Sequence, residues 1–268
     1  MTCAQLPLAA RAFDAIAGDF DRRFAAWESV AAQRRAVRSE LAAAFPPGSS
    51  IVEIGGGTGE DAIWLAERGR SVLLTDISPR MVQCARAKFA GREGLRARVA
   101  AAEGLETLVL EGERFDGAFS NFAGLNCVEN LAPVARGLAS LIRPGGSALL
   151  VVFGTFCPGE WLVEGIRRRP AAMFRRLTRK PVHARMGANA FSVRYFTSSE
   201  LVAAMAPWFD LTGRMGVGVF VPPSAAEPWI SRHPRLLSVL ERLDSRLSAP
   251  LAALGDHVLY RFVRRADG

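Results

Sequence analysis

The sequence predicts an α/β protein built on a doubly wound sheet of seven strands, mostly parallel, with helices on both faces. Three observations carry that expectation. Short apolar segments alternate with helical periodicities from residue 51 to residue 153. The first segment, "IVEI", runs into "GGGTGEDA", a glycine-rich turn that opens directly onto a helical pattern. The second, "VLLTD", ends in an acid.

Taken in order, an N-terminal helical stretch extends to about Phe45, with Phe13, Ile16, Phe20, Phe24 and Trp27 near helical spacing, and Pro46-Pro47-Gly48 ends it. Strands follow at 51–55, 71–75, near 95–100, at 115–121 and at 145–153, with helices at about 59–68, 79–90 and 128–141. Segment 155–195 breaks the alternation and reads as an insertion, amphipathic and helical in "WLVEGIRRRPAAMFRRL" and interrupted by Pro170. Beyond it, "FSVRYF" suggests a short strand, and "TSSELVAAM" a helix capped by the Thr197 and Glu200 capping box. "FDLTGRMGVGVFVPPS" supplies the sixth strand, 228–254 an apolar helical insert, and "DHVLYRFVRR" the seventh strand. Residues 1–154 and 197–268 are therefore expected to form one ligand-binding domain with a helical N-terminal cover, and 155–196 a basic helical lid over its pocket.

Half of the 268 residues are hydrophobic, enough for a large core and against a disordered chain. No apolar run reaches the roughly 18 residues of a membrane-spanning helix, and the N-terminus shows no basic segment ahead of an apolar one. The expectation is a cytoplasmic protein. Cys3, Cys84, Cys127 and Cys157 lie far apart, and with His183, His233 and His257 they make no zinc pattern, so reduced thiols and no metal are expected. The net charge of +8 rests on arginine, because Lys88 and Lys180 are the only lysines.

In a doubly wound sheet, ligands bind beyond the carboxyl ends of the strands, which is where the glycine turn falls. Gly55, Gly57 and Gly59 permit a tight turn and close approach of a ligand to bare backbone at a helix N-terminus. Such a turn alone also suits a dinucleotide. Here, however, the spacing is E-x-G-x-G-x-G, and Glu53, Glu60 and Asp61 would repel a pyrophosphate while suiting a ligand with an ammonium and a sulfonium. Asp76, seventeen residues after Gly59, is placed to take both ribose hydroxyls, with Ile77 against an adenine face.

With these residues the chain resembles the class I S-adenosylmethionine-dependent methyltransferases that act on small molecules, closely over about 13–154. The resemblance implies the Rossmann-like methyltransferase fold, an antiparallel last strand and S-adenosyl-L-methionine as cofactor. It implies that Glu53 with Gly55, Gly57, Thr58 and Gly59 holds the methionine part, Asp76 the ribose, and Ile77 with Met81 the adenine. The acid that the family usually places before an Ala-Glu pair is Ala101 here, ahead of Ala102 and Glu103, which leaves the adenine amino group to backbone amides or Glu103. Phe20 stands where many relatives carry a tyrosine.

Asn121 follows the fourth strand, next to where the fold places the transferable methyl. Phe122-Ala123 replaces the prolines of an NPPY-like motif, and Asn121 and Asn126 are read as shaping the pocket. Phe122, Phe153, Phe156, Trp161 and Phe220 are candidate wall residues. The start of an antiparallel last strand would bring Asp256-His257 to the pocket edge, where His257 could act as a base, with His183 and Tyr195 as weaker candidates of the same kind.

The insertion holds nine basic residues (Arg167, Arg168, Arg169, Arg175, Arg176, Arg179, Lys180, Arg185, Arg194) against Glu160 and Glu164. Three readings follow: a solvated arginine face, recognition of an anionic substrate such as a carboxylate, phosphate or acyl-carrier thioester, or docking on an anionic membrane. The function expected is methyl transfer to a small hydrophobic or anionic metabolite of specialised metabolism, with oxygen ahead of carbon or nitrogen as acceptor. The alternatives are a nucleic acid methyltransferase using the arginine-rich lid, and an inactive cofactor-binding partner protein. The sequence carries no indication of oligomeric state.

Overall fold

From Ser50 onward the chain lays down β1 (Ser50–Ile54), β2 (Ser71–Asp76), β3 (Leu95–Val99), β4 (Phe115–Ser120) and β5 (Ile142–Phe153), all paired in parallel. β8 (Phe209–Val217) and β9 (His257–Arg264) complete the sheet, with β9 lying between β5 and β8 and antiparallel to both. The strand order is β3-β2-β1-β4-β5-β9-β8, the seven-stranded, mostly parallel sheet expected. These features come from a computed structural model, which describes residues 6–122, 124–186 and 188–266.

The central strands are apolar on both faces because both faces are covered. Ile51, Phe119 and Leu149 point to one side, against Val37, Leu41 and Phe45 of α3 (Glu28–Ala44), Leu65 of α4 (Glu60–Ala66), and Val82 and Phe89 of α5 (Pro79–Phe89). Their neighbours Val52, Ala118 and Ala148 point to the other, against Val134 and Leu138 of α7 (Leu131–Leu141) and Leu201 and Met205 of α10 (Ser198–Met205). Helix starts follow local chemistry. Ser78 accepts the Met81 amide at α5, Asn130 accepts the Ala132 amide at α7, and Thr197 and Glu200 form the expected capping box at α10.

Three departures from the sequence expectations stand out. The N-terminal stretch is three helices, α1 (Leu8–Asp14), α2 (Phe20–Ala25) and α3, rather than one run. A short helix α6 (Glu106–Leu110) precedes β4. The insertion is helical only in its first half, α8 (Pro158–Ile166) and α9 (Pro170–Met173), and then forms an antiparallel hairpin of β6 (Val182–Met186) and β7 (Asn189–Val193). The hairpin owes its burial to a tertiary partner: Phe191 and Val193, with Val182, Ala184 and Met186, pack against Ala12 and Phe13 of α1. Finally, 228–254 contains α11 (Pro234–Leu247).

Candidate active site

After β1 the chain turns through Gly55, Gly57 and Gly59 (φ +66°, +56° and +86°) into α4. A Cβ strains such a left-handed backbone, so glycine is needed here. Gly56, which sequence spacing did not single out, is fixed by packing: a Cβ there would lie 2.6 Å from the Glu53 carboxyl carbon and 2.7 Å from Leu74. Gly55 meets Gly124 backbone to backbone, a Cβ on Gly55 standing 3.3 Å from the Gly124 Cα, so the loop after β4 rests on the glycine turn. Outside Gly57 the space is open for 4 Å around a would-be Cβ.

Asp76 ties this turn to the next. Its Oδ2 accepts the Gly57 amide at 2.9 Å and its Oδ1 the Ser78 amide at 2.8 Å. Each oxygen keeps a lone pair for a ribose hydroxyl. Burial raises the Asp76 carboxyl above its ordinary range, and the donated amides oppose that shift.

The three acids that the sequence groups together have different surroundings. Asp61 accepts from Arg38 Nε at 2.7 Å and from Asn121 Nδ2 at 2.8 Å, with Arg34 Nε at 3.7 Å. Glu60 pairs with Lys88 at 2.7 Å. Glu53 is 2 % exposed, and its Oε2 has no hydrogen-bond partner among the described residues. Burial first, and then the charge of Asp61, pushes the Glu53 carboxyl well above its usual range. One uncompensated acid therefore faces the site instead of three. An orphaned buried carboxylate oxygen beside open backbone fits the ammonium of an aminoacyl ligand.

The N-terminal helices close over this turn. Thr58 donates its hydroxyl to Asp21 at 2.6 Å, and Lys88 joins Asp21 to Glu60. Asp14 accepts the Ser78 hydroxyl and, at 3.0 Å, the Arg80 amide. Thr58 thus latches the cover to the turn. Ile77 is half-buried and Met81 buried beside Asp76, at the start of α5. Ala102 and Glu103 lie on a short 3₁₀ turn, where Glu103 accepts the Glu129 amide at 3.1 Å. Phe20 packs against Phe24 within α2, ring centres 4.8 Å apart and tilted by 53°.

His257 opens β9 and pairs in register with Phe153 at the end of β5, so it stands at the carboxyl edge of the sheet as expected. Its imidazole is buried, stacked on Phe153 at 4.7 Å and edge-on to Phe122 at 5.8 Å. Phe122 has φ +46°, and its amide donates to Asn121 Oδ1 at 2.8 Å. With its amide nitrogen on Asp61 as well, Asn121 is committed to holding this loop. Its neighbour Ala123 lies outside the described residues. Asn126 likewise knits backbone: Nδ2 donates to the Arg194 carbonyl at 2.6 Å and Oδ1 accepts the Phe153 amide at 2.9 Å.

Beneath His257 lies a charge network that an arginine run in sequence does not reveal. Arg176 of the insertion is buried, with Nη2 donating to Asp256 Oδ1 at 2.7 Å and Nη1 to the Asp256 carbonyl at 2.7 Å. Its Nε pairs with buried Glu160, which also takes Arg175. Gln33 of α3 donates to Asp256 Oδ2 at 3.1 Å. The guanidinium lies over Phe153 at 5.0 Å and over Tyr195 at 5.7 Å. Asp256 Oδ2 is 3.5 Å from His257 Nδ1, which has no hydrogen-bond partner among the described residues. Burial lowers the His257 pKa, Arg176 acts in the same direction, and Asp256 opposes them, so the imidazole is neutral at neutral pH.

The remaining candidates are dispersed. Trp161 packs between Phe156 (4.5 Å) and Phe174 (5.6 Å) on the insertion, Phe156 being substantially exposed. Phe220 is half-buried beside α11, its amide donating to Asp244 at 2.8 Å. Tyr195 packs on Phe153 at 5.7 Å, and His183 lines an outer cleft of about 290 Å³ with Leu8 and Arg11. Sequence reasoning missed Gly56, Gly124, Gln33, Arg34 and Arg38, and named Arg176 only as one of a basic run; a tertiary partner assigns each its role.

Residues 51–146 match the family model described as a methyltransferase domain. Two curated relatives are each named malonyl-[acyl-carrier protein] O-methyltransferase. That of Serratia marcescens is 29 % identical over 148 residues (54 % of each chain), and that of Salmonella typhimurium 33 % over 112 residues (42 % of this chain, 41 % of the relative). The chain spans about half the length of the curated relatives it matches. Among solved structures, an S-adenosylmethionine-dependent methyltransferase from Mesorhizobium loti superposes with a TM-score of 0.53 at 20 % identity, covering 87 % of this chain and 98 % of that one. The fold is that of the class I S-adenosylmethionine-dependent methyltransferases, and residues 51–146 carry the match to a methyltransferase domain.

Proposed function

We propose that the protein methylates an oxygen of a small, largely apolar acceptor, with His257 as general base. The observation that carries this reading is the imidazole itself: buried, neutral, and held between Phe153 and Phe122 beside the loop seated on the glycine turn. When bound, S-adenosylmethionine supplies an electrophilic methyl. Glu53 would hold its ammonium, the Gly55–Gly59 backbone its aminoacyl chain, Asp76 its ribose, and Ile77 with Met81 its adenine. Phe122, Phe153 and Tyr195 exclude water around the acceptor, and His257 takes the proton that an acceptor hydroxyl loses. Residues 155–196 act as the cover of this space, fastened at Asp256 by Arg176.

The curated relatives are named as O-methyltransferases, which agrees with oxygen as acceptor. For the nucleic acid alternative, four of the nine basic residues of the insertion, Arg167, Arg175, Arg176 and Arg194, are already engaged by Glu164, Glu160, Asp256 and Glu200, which leaves a smaller set of cations for a phosphate backbone. The test is a screen of hydroxylated and carboxylated small molecules, read as S-adenosylhomocysteine formed. Turnover with at least one, cut by His257→Asn, is the expected result. Tight cofactor binding without turnover of any acceptor would instead make the chain a cofactor-binding partner protein.

A further inference from the structure

Helix α8 is built with its polarity reversed. Glu160 and Glu164, one turn apart, are buried and taken up by Arg175, Arg176 and Arg167. Leu162 and Ile166, also one turn apart, face solvent at 67 % and 75 % exposure. A surface helix of a globular protein ordinarily does the opposite. Past the break at Pro170, Phe174 and Leu177 of the same insertion are about half exposed as well. Arg168, Arg169, Arg179 and Lys180 are exposed beside these side chains and form no ion pair among the described residues. Residues 155–195 contain only Glu160 and Glu164 as acids, and both are consumed inside. The outer surface therefore presents protruding apolar side chains among uncompensated cations, with no carboxylate.

We infer that this face of the insertion docks on an anionic lipid bilayer, Leu162, Ile166, Phe174 and Leu177 entering the acyl region and the four cations resting on headgroup phosphates. Charge complementarity selects an anionic surface. The exposure of Leu162 and Ile166, with Phe174 and Leu177 about half exposed, suits a fluid apolar medium. No helix among the described residues is long and apolar enough to cross a membrane, so the contact is one of lying on the bilayer. The insertion follows β5 directly and holds Asp256 through Arg176, which keeps the docking face continuous with the site and presents it to acceptors partitioned into lipid.

The test is flotation of the full chain with vesicles of phosphatidylcholine alone and of phosphatidylcholine with phosphatidylglycerol, at low and raised salt. The expected result is capture by the anionic vesicles, about tenfold weaker on the neutral ones and weakened by salt. The Leu162→Ser/Ile166→Ser and Arg168→Ala/Arg169→Ala variants should each lose most of this capture while keeping the wild-type thermal midpoint and S-adenosylmethionine affinity. No capture, equal capture by both vesicle types, or capture indifferent to the serine pair would overturn the inference. So would failure on vesicles combined with binding to an acidic carrier protein that the serine pair abolishes, which would make the surface a protein interface.

Discussion

Arg176 and Asp256 form a buried ion pair in which one guanidinium satisfies both the carboxylate and the main-chain carbonyl of the same residue. Arg176 comes from the insertion and Asp256 immediately precedes His257, so one ion pair joins the insertion to the strand start that carries the imidazole. Buried charges are tolerated only when paired.

Arg176→Met should therefore leave Asp256 and Glu160 as unpaired buried acids and cost about 3–5 kcal/mol of stability in urea unfolding. Adding Asp256→Asn to Arg176→Met should recover part of that loss, because it removes a charge the first change strands. Additive losses in the double variant would show that the two side chains are not coupled.

His257 gives a pH dependence whose sign follows from its environment. Its folded-state pKa is depressed by burial, so the group favours the fold above the unfolded value of roughly 6.5 and loses that stability as pH falls through it toward the folded value. Turnover should be flat from neutral pH upward and decline only on the acid side. His257→Asn should lower kcat by about a hundredfold or more with cofactor affinity unchanged; a variant with wild-type kcat would remove the histidine from the reaction.

The parts of this site that local chemistry dictates were legible in sequence. Glycines with positive φ at 55, 57 and 59, an acid closing β2, and Thr197 with Glu200 at a helix start each do their work within a few residues of themselves. What stayed hidden depends on partners far away in the chain. Arg176 looks like its neighbours in an arginine run until Asp256, eighty residues on, is brought beneath it. The β6–β7 hairpin reads as part of a helical insertion because its inward face is defined by α1. Glu53, Glu60 and Asp61 appear equivalent until Lys88, Arg34 and Arg38 separate them.

Glu53 provides a second pH test, of opposite sign to the first. Its folded-state pKa is raised, so its contribution to stability is whole below the unfolded carboxylate value of about 4.3 and falls as pH rises toward the folded value. Glu53→Gln removes that penalty. The ligand-free variant should melt higher than wild type at neutral pH and no higher at acid pH, while its affinity for S-adenosylmethionine falls by about 1.5–3 kcal/mol through loss of the charged partner. Calorimetry and melting curves on the same samples separate the two effects.

Asp76→Ala should weaken cofactor binding by about 2–3 kcal/mol and lower the melting temperature as well, because the carboxylate also accepts the Gly57 and Ser78 amides. Asp76→Asn keeps one acceptor oxygen and should fall between alanine and wild type in both measurements. An affinity loss without any change in melting would mean that the two amides find other partners.

Gly56 and Gly57 are adjacent, yet alanine should act on them through different physics. At Gly56 the added methyl has nowhere to go, meeting the Glu53 carboxyl carbon and Leu74, so Gly56→Ala should cost about 1–3 kcal/mol of stability and displace Glu53 from the site. At Gly57 the space is open, and the cost is the left-handed backbone, about 1–2 kcal/mol. There the methyl would project into the room that bare backbone leaves for the cofactor. Gly57→Ala should accordingly lose more cofactor affinity than its stability loss explains, whereas in Gly56→Ala the two losses should track each other. Isothermal titration and urea unfolding on both variants measure that contrast, and a Gly57→Ala protein with wild-type affinity would show that the ligand does not approach this face of the turn.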